Sequence, residues 1–142
     1  MSVAFSSVRR VEFADTDMAG LIHFTTFYRM MESVEHEFLR SLGTSVVQRN
    51  EAGHMVGWPR LATECEFHAP AYFEDELEVT VRVASVGRSS LLLGYEFHRG
   101  ELRIAHGRMK TVCCRVHESD GLSSVDIPAE LRSRLDELVE PE

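Results

Sequence analysis

The sequence predicts an α+β fold in which an antiparallel sheet of about five strands curls around one long helix, with a short helix near the C-terminus. Three observations predict it. Phe24, Phe27, Tyr28, Met31, Val34, Phe38 and Leu42 follow the i, i+3, i+4, i+7 spacing of one helix face over residues 24–42. From Leu61 to Val116 the chain reads as alternating strands joined by short turns, which is an antiparallel meander. A single sheet must bury one face, and the helix of 24–42 is the only long apolar partner available to it.

The elements follow in order. Residues 1–14 form the first strand, with Val11 and Phe13 alternating with polar neighbours. The helix of 24–42 stops at Gly43, a residue type suited to a helix C-terminus. Residues 44–57 read as a connection that can hold a short helix or strand. Leu61, Thr63, Cys65 and Phe67 form the apolar side of the next strand, which Pro70 ends. Leu77, Val79, Val81 and Val83 show the cleanest two-residue period in the chain. After the Gly87–Ser90 turn, Leu91, Leu93, Tyr95 and Phe97 form another apolar face. Arg99-Gly100-Glu101 is a tight hairpin. Leu102 to Val116 is one long strand of mixed pattern, bordered by protein on both sides over part of its length. Pro128 opens the last helix, with Leu131, Leu135 and Leu138 on one face.

At 142 residues one domain spanning 1–142 is expected, large enough to bury a core. The net charge of −8 argues against nucleic acid or an anionic membrane surface as the main partner. Cys65, Cys113 and Cys114 have no metal or redox spacing, so reduced thiols and a cytoplasmic location are expected. The N-terminus shows no apolar signal segment, and no run is long enough to span a bilayer. There is no Gly-x-Ser-x-Gly elbow and no phosphate-cradling glycine motif. His36-Glu37 resembles the start of a zinc motif, but Arg40 stands where its second histidine belongs. His54, His68, His98, His106 and His117 are scattered and read as surface or hydrogen-bonded residues. No metal and no cofactor is expected.

The informative stretch is 11–43. Asp15, Asp17 and Gly20 precede a helix start, where free N–H groups and a partial positive charge can hold a carbonyl oxygen that turns negative. A carboxylate beside such a site is a candidate for acyl transfer; the alternative is that Asp15 or Asp17 caps the turn.

The pattern Phe13-x-Asp15-x-Asp17-x-x-Gly20, followed by Tyr28 and Glu32 on the helix, resembles the 4-hydroxybenzoyl-CoA thioesterase branch of the hotdog-fold superfamily. The run from Ala62 to Leu77, a strand entering a turn that contains Pro70, resembles that branch's second landmark. The resemblance covers roughly residues 5–117 and implies a thioesterase acting on an acyl- or aroyl-CoA.

By that resemblance, Asp17 aligns with the catalytic carboxylate, as nucleophile or as general base on water. The backbone N–H near Phe24 would polarise the carbonyl, and Gly20 and Tyr28 of the same motif are expected to bind substrate. His23 either orients the acyl group or a water, or is a helix-capping or interface histidine; Glu32 is expected to be structural, and Asp15 to organise the loop. From its position before the second strand, the segment Trp58-Pro59-Arg60 is expected to reach across a dimer and line the acyl pocket. Arg88-Ser89-Ser90 is a candidate phosphate or pantetheine turn, or a plain hairpin connection. The family implies homodimers with shared active sites, paired into homotetramers.

Two departures bear on the substrate: Leu21 stands where many relatives carry histidine, and the pair His23-Phe24 is not that of the best-known branches. The alternatives are a hotdog protein that binds acyl-CoA without hydrolysing it, and a thioesterase for acyl-carrier-protein substrates. A DNA-binding regulator is not expected at this length, and a hydratase spaces its Asp/His pair differently.

Overall fold

The structure, a computed structural model, describes residues 2–119 and 121–141. Five strands build the main sheet: β1 (Phe5–Arg10), β4 (Arg60–Phe67), β5 (Glu76–Val86), β6 (Ser90–Arg99) and β7 (Leu102–Val112). Their spatial order is β1-β5-β6-β7-β4, and every pairing is antiparallel. The helix α1 (Phe24–Ser41) lies against one face and buries Phe27, Met30, Met31, Val34, Phe38 and Leu39. Opposite it stand Leu77, Val79, Val81 and Val83 of β5, Leu91, Leu93, Tyr95 and Phe97 of β6, and Ile104, Ala105 and Met109 of β7. Gly107 admits the helix closely, since a Cβ there would meet the Met31 sulfur at 2.9 Å.

The predicted helix is present to within a residue, and Gly43 follows it with φ +81°, donating its N–H to the Arg40 carbonyl. The helix α2 (Ala129–Leu138) begins just after Pro128 and buries Leu131 and Leu135.

Two local expectations are corrected, on the first and the last predicted strands, and the 44–57 connection takes the strand form of the two it could hold. The first strand ends at Arg10; Val11 is buried, but Phe13 enters a 3₁₀ turn over Phe13–Asp15 and stands 79% exposed. Glu12 and Asp15 cap that turn reciprocally, so local hydrogen bonding replaces the strand alternation. The connection 44–57 holds two short strands, β2 (Gln48–Arg49) and β3 (Met55–Gly57). They pair with β8 (Cys114–His117) and β9 (Gly121–Ser124) in a separate sheet ordered β2-β3-β8-β9. The long final strand therefore divides at Cys113: β7 up to Val112 belongs to the main sheet, and β8 belongs to the small one.

Strand β4 pairs with β7 on one side and has an open edge on the other. Its Leu61 is 60% exposed and its Phe67 51% exposed, although both lie on the predicted apolar side. No described helix is long and apolar enough to cross a membrane. The cysteines are free thiols; burial pushes Cys65 and Cys113 up to about 11, so both are protonated near neutral pH.

Candidate active site

The loop 15–23 is closed by its own backbone. Asp17 donates its N–H to the Leu21 carbonyl at 2.7 Å, and Gly20 donates back to the Asp17 carbonyl at 3.0 Å. Gly20 has φ +82°, a left-handed conformation that a side chain would disfavour. Ile22 donates to the Ala71 carbonyl at 2.8 Å, which ties the loop to the chain after β4. His23 donates its N–H to the Asp15 carbonyl at 2.8 Å.

Within this frame the two acids differ. Asp15 accepts from the Glu12 N–H at 2.8 Å through Oδ2, and its Oδ1 lies 3.6 Å from Arg29. Its carbonyl also accepts from the Thr26 hydroxyl. Asp15 is thus occupied in holding the loop on the helix. Asp17 accepts from the N–H groups of Ala19 and Leu21, at 2.9 and 3.2 Å, through Oδ1 alone. Its Oδ2 makes no hydrogen bond among the described residues, and the side chain stands at the open surface. The turn-capping and chemical readings of Asp17 are therefore compatible: one oxygen fixes the carboxylate, and the other is open.

His23 is the N-cap of α1. Its Nδ1 accepts from the Thr25 N–H at 3.2 Å and contacts the Thr25 hydroxyl at 2.7 Å. Accepting at Nδ1 places the ring proton of neutral imidazole on Nε2. The ring stacks on Phe24, with centroids 4.8 Å apart. The backbone N–H of Phe24 donates to nothing among the described residues, as expected for the first turn of a helix. Asp17, Gly20, His23 and Phe24 thus share one junction, with half-buried Tyr28 one turn further along α1.

Other predicted site residues lie apart from it within this chain. Trp58 is buried in the core. Arg60 opens β4 and spans two acids of α1, Glu35 at 2.6 Å and exposed Glu32 at 3.4 Å. Arg88 pairs with Asp126, and the Ser89 carbonyl accepts from the Cys113 N–H at 2.7 Å. Ser90 begins β6, and Arg132 of α2 donates to the carbonyls of Gly87 and Arg88.

Glu35 escaped the sequence reading. Its carboxyl lies inside, 2% exposed, with Oε2 bonded to Arg60; among the described residues Oε1 has no hydrogen bond, the His36 Nε2 lying 3.7 Å away. Nearby Tyr95 is buried, and its hydroxyl also lacks a partner among the described residues. Burial pushes the Glu35 carboxyl above its ordinary value, against the opposing hydrogen bond and charge of Arg60. The signal was present: Glu35 sits four residues after Met31 and three before Phe38, inside the apolar stripe.

A model of the thioesterase-like superfamily matches residues 11–135. The chain belongs to that superfamily. Within it, the 1,4-dihydroxy-2-naphthoyl-CoA hydrolase of Thermosynechococcus vestitus is 29% identical over 132 residues, covering 91% of this chain and 89% of the relative. The 4-hydroxybenzoyl-CoA thioesterase of a Pseudomonas species is 20% identical, over 92% of this chain and 96% of its own. A solved 1,4-dihydroxy-2-naphthoyl-CoA thioesterase from Synechocystis superposes with a TM-score of 0.80 at 24% identity, covering 96% of this chain and 98% of that one. The superfamily's architecture, the hotdog fold, is the one described above.

Proposed function

We propose that the whole chain is one catalytic domain that hydrolyses the thioester of an acyl- or aroyl-CoA to the free acid and CoA. The observation that carries this reading is the junction of loop and helix. A carboxylate fixed through one oxygen and open at the other shares it with an unbonded helix N-terminal N–H. A thioester carbonyl is already activated, because sulfur donates poorly into it. Hydrolysis then needs the carbonyl polarised and a nucleophile delivered.

The Phe24 N–H serves as donor to the developing oxyanion; a donor of this kind is typically worth about 2.7–4 kcal/mol. Asp17 supplies the nucleophile in one of two ways. Its free oxygen attacks the carbonyl carbon, the C–S bond breaks, and water then opens the acyl anhydride. Alternatively Asp17 takes a proton from water, whose oxygen attacks directly. In both routes the sulfur leaves and takes up a proton as the CoA thiol. His23, with Nε2–H unused in the cap, orients the acyl group or the water.

The exposure of Asp17 supports a site completed by a second copy of the chain. Phe13, Phe24 and Phe73 are exposed around the same loop, and Phe67 on the open edge of β4 packs on Phe27 in the first turn of α1. Pairing of two copies through β4 would bring Trp58, Pro59 and Arg60 of the partner subunit toward the junction. The dimer pairs further into a tetramer. Arg88, Ser89 and Ser90 serve CoA, and the reduced thiols fit a cytoplasmic enzyme.

The test is free-thiol release from a panel of aryl, short-chain and medium-chain CoA esters. Release supports the reading and begins to name the acyl group. Binding of the esters without release moves the assignment to a non-catalytic acyl-CoA binder, and release only from acyl-carrier protein moves it to that substrate.

A further inference from the structure

The small sheet carries a basic cavity with no established role. About 320 Å³ lie between the β2–β3 hairpin and β8, lined by Arg49, His54, Met55, Arg115, His117 and Glu118, among others. The protein is acidic overall, with net charge −8, and Arg9, Arg60, Arg82, Arg99 and Arg108 each sit beside a carboxylate. Arg49 and Arg115 do not. Among the described residues neither has a carboxylate oxygen within 4 Å, Glu118 of the same rim included. Arg49 donates to the Gly53 carbonyl at 2.9 Å, and Arg115 donates to Nε2 of His54 at 2.9 Å. An imidazole nitrogen that accepts is unprotonated, so both guanidinium groups meet neutral acceptors. The Nε of Arg115 is buried with no hydrogen-bond partner among the described residues. His117 is engaged by the Ser123 hydroxyl at 2.7 Å.

A half-buried guanidinium without counter-charge is costly, and the missing charge is what a bound anion supplies. Two arginines facing one cavity, with histidines able to add donors, match the several acceptor oxygens of a phosphate. We propose that Arg49 and Arg115, with His54 and His117 in the wall, form a binding site for a phosphate-bearing anion. The source is either a nucleotide phosphate of CoA, which rests on the thioesterase reading, or a separate phosphorylated small molecule, which does not.

Isothermal titration with inorganic phosphate and with adenosine 3′,5′-bisphosphate, on wild type, Arg115→Gln and Arg49→Gln, tests this without turnover. Saturable binding to wild type, weakened about tenfold or more in each variant, is expected. A KM that rises in the variants for an acyl-CoA but not for the matching acyl-pantetheine identifies CoA as the source. Weakened phosphate binding with both KM values unchanged identifies a separate ligand. No binding to wild type, or equal binding by all three proteins, overturns the proposal. Arg49→Gln, at an exposed position, decides the matter should Arg115→Gln fail to fold. Arg115-dependent phosphate binding by a protein that cleaves no thioester would sink the hydrolase reading and leave the anion site standing.

Discussion

Glu35 is where a single side chain bears most on stability. It is an acid inside the helix–sheet interface, and among the described residues Arg60 is its only hydrogen-bond donor. Burial raises its folded pKa above the unfolded value of about 4.5. Such a group contributes stability that is fully present below the unfolded pKa and is lost as pH rises through the folded pKa. Denaturant titrations across that window should show wild-type stability falling with pH, and Glu35→Gln should flatten the decline; an unchanged slope would mean that another group carries it. Glu37 works in the opposite sense. The Arg9 hydrogen bond holds its carboxyl below the ordinary value, so its contribution is present above the unfolded pKa and fades as pH falls through the folded one. Asp15 also belongs to this scale. With its oxygens and its carbonyl occupied in the loop, Asp15→Asn is expected to reduce turnover far less than a change at Asp17. Parallel kinetics of the two variants would show it, and equal losses would make the loop rather than one carboxylate the active feature.

Among the elements, α1 sets the geometry of the site because its N-terminus is the candidate oxyanion donor. Its far end is pinned by Gly43, whose φ of +81° disfavours any Cβ, with Arg134 only 3.4 Å from where that atom would lie. Gly43→Ala should cost about 1–2 kcal/mol, read as a lowered melting temperature with activity at 25 °C retained. Phe38, fully buried under the sheet, should cost about 3–5 kcal/mol as alanine. The helix was legible because seven large apolar residues repeat at helical spacing and a glycine ends them. The strands β5 and β6 were legible because both their apolar rows are covered by α1. Less was legible where long-range pairing overrides local pattern. Gln48–Arg49 and Met55–Gly57 are too short to show a period, and they become strands only because β8 lies beside them. Leu61 and Phe67 alternate correctly, yet an edge strand leaves them exposed. The motif Asp15-x-Asp17-x-x-Gly20 placed the loop, while the buried Glu35–Arg60 pair needed the fold to bring positions 25 residues apart together.

At the scale of the whole molecule, the chain has an open sheet edge at β4, whose Phe67 packs on the first turn of α1, and an exposed carboxylate in the loop before that helix. The proposed dimer covers both. Leu61→Lys, on that edge and already 60% exposed, should leave the fold intact while shifting the sedimentation profile toward monomer. Its thioesterase activity should fall with dissociation and recover at high protein concentration. A monomeric wild type with full activity would show that one chain holds a complete site.

The most direct test of the central claim is the rate of thiol release by Asp17→Ala beside wild type, on whichever CoA ester the wild type cleaves. The account predicts a loss of about 10²-fold or more, typical of removing a general base or nucleophile, with oligomeric state unchanged. An Asp17→Ala protein that releases thiol at the wild-type rate would contradict it.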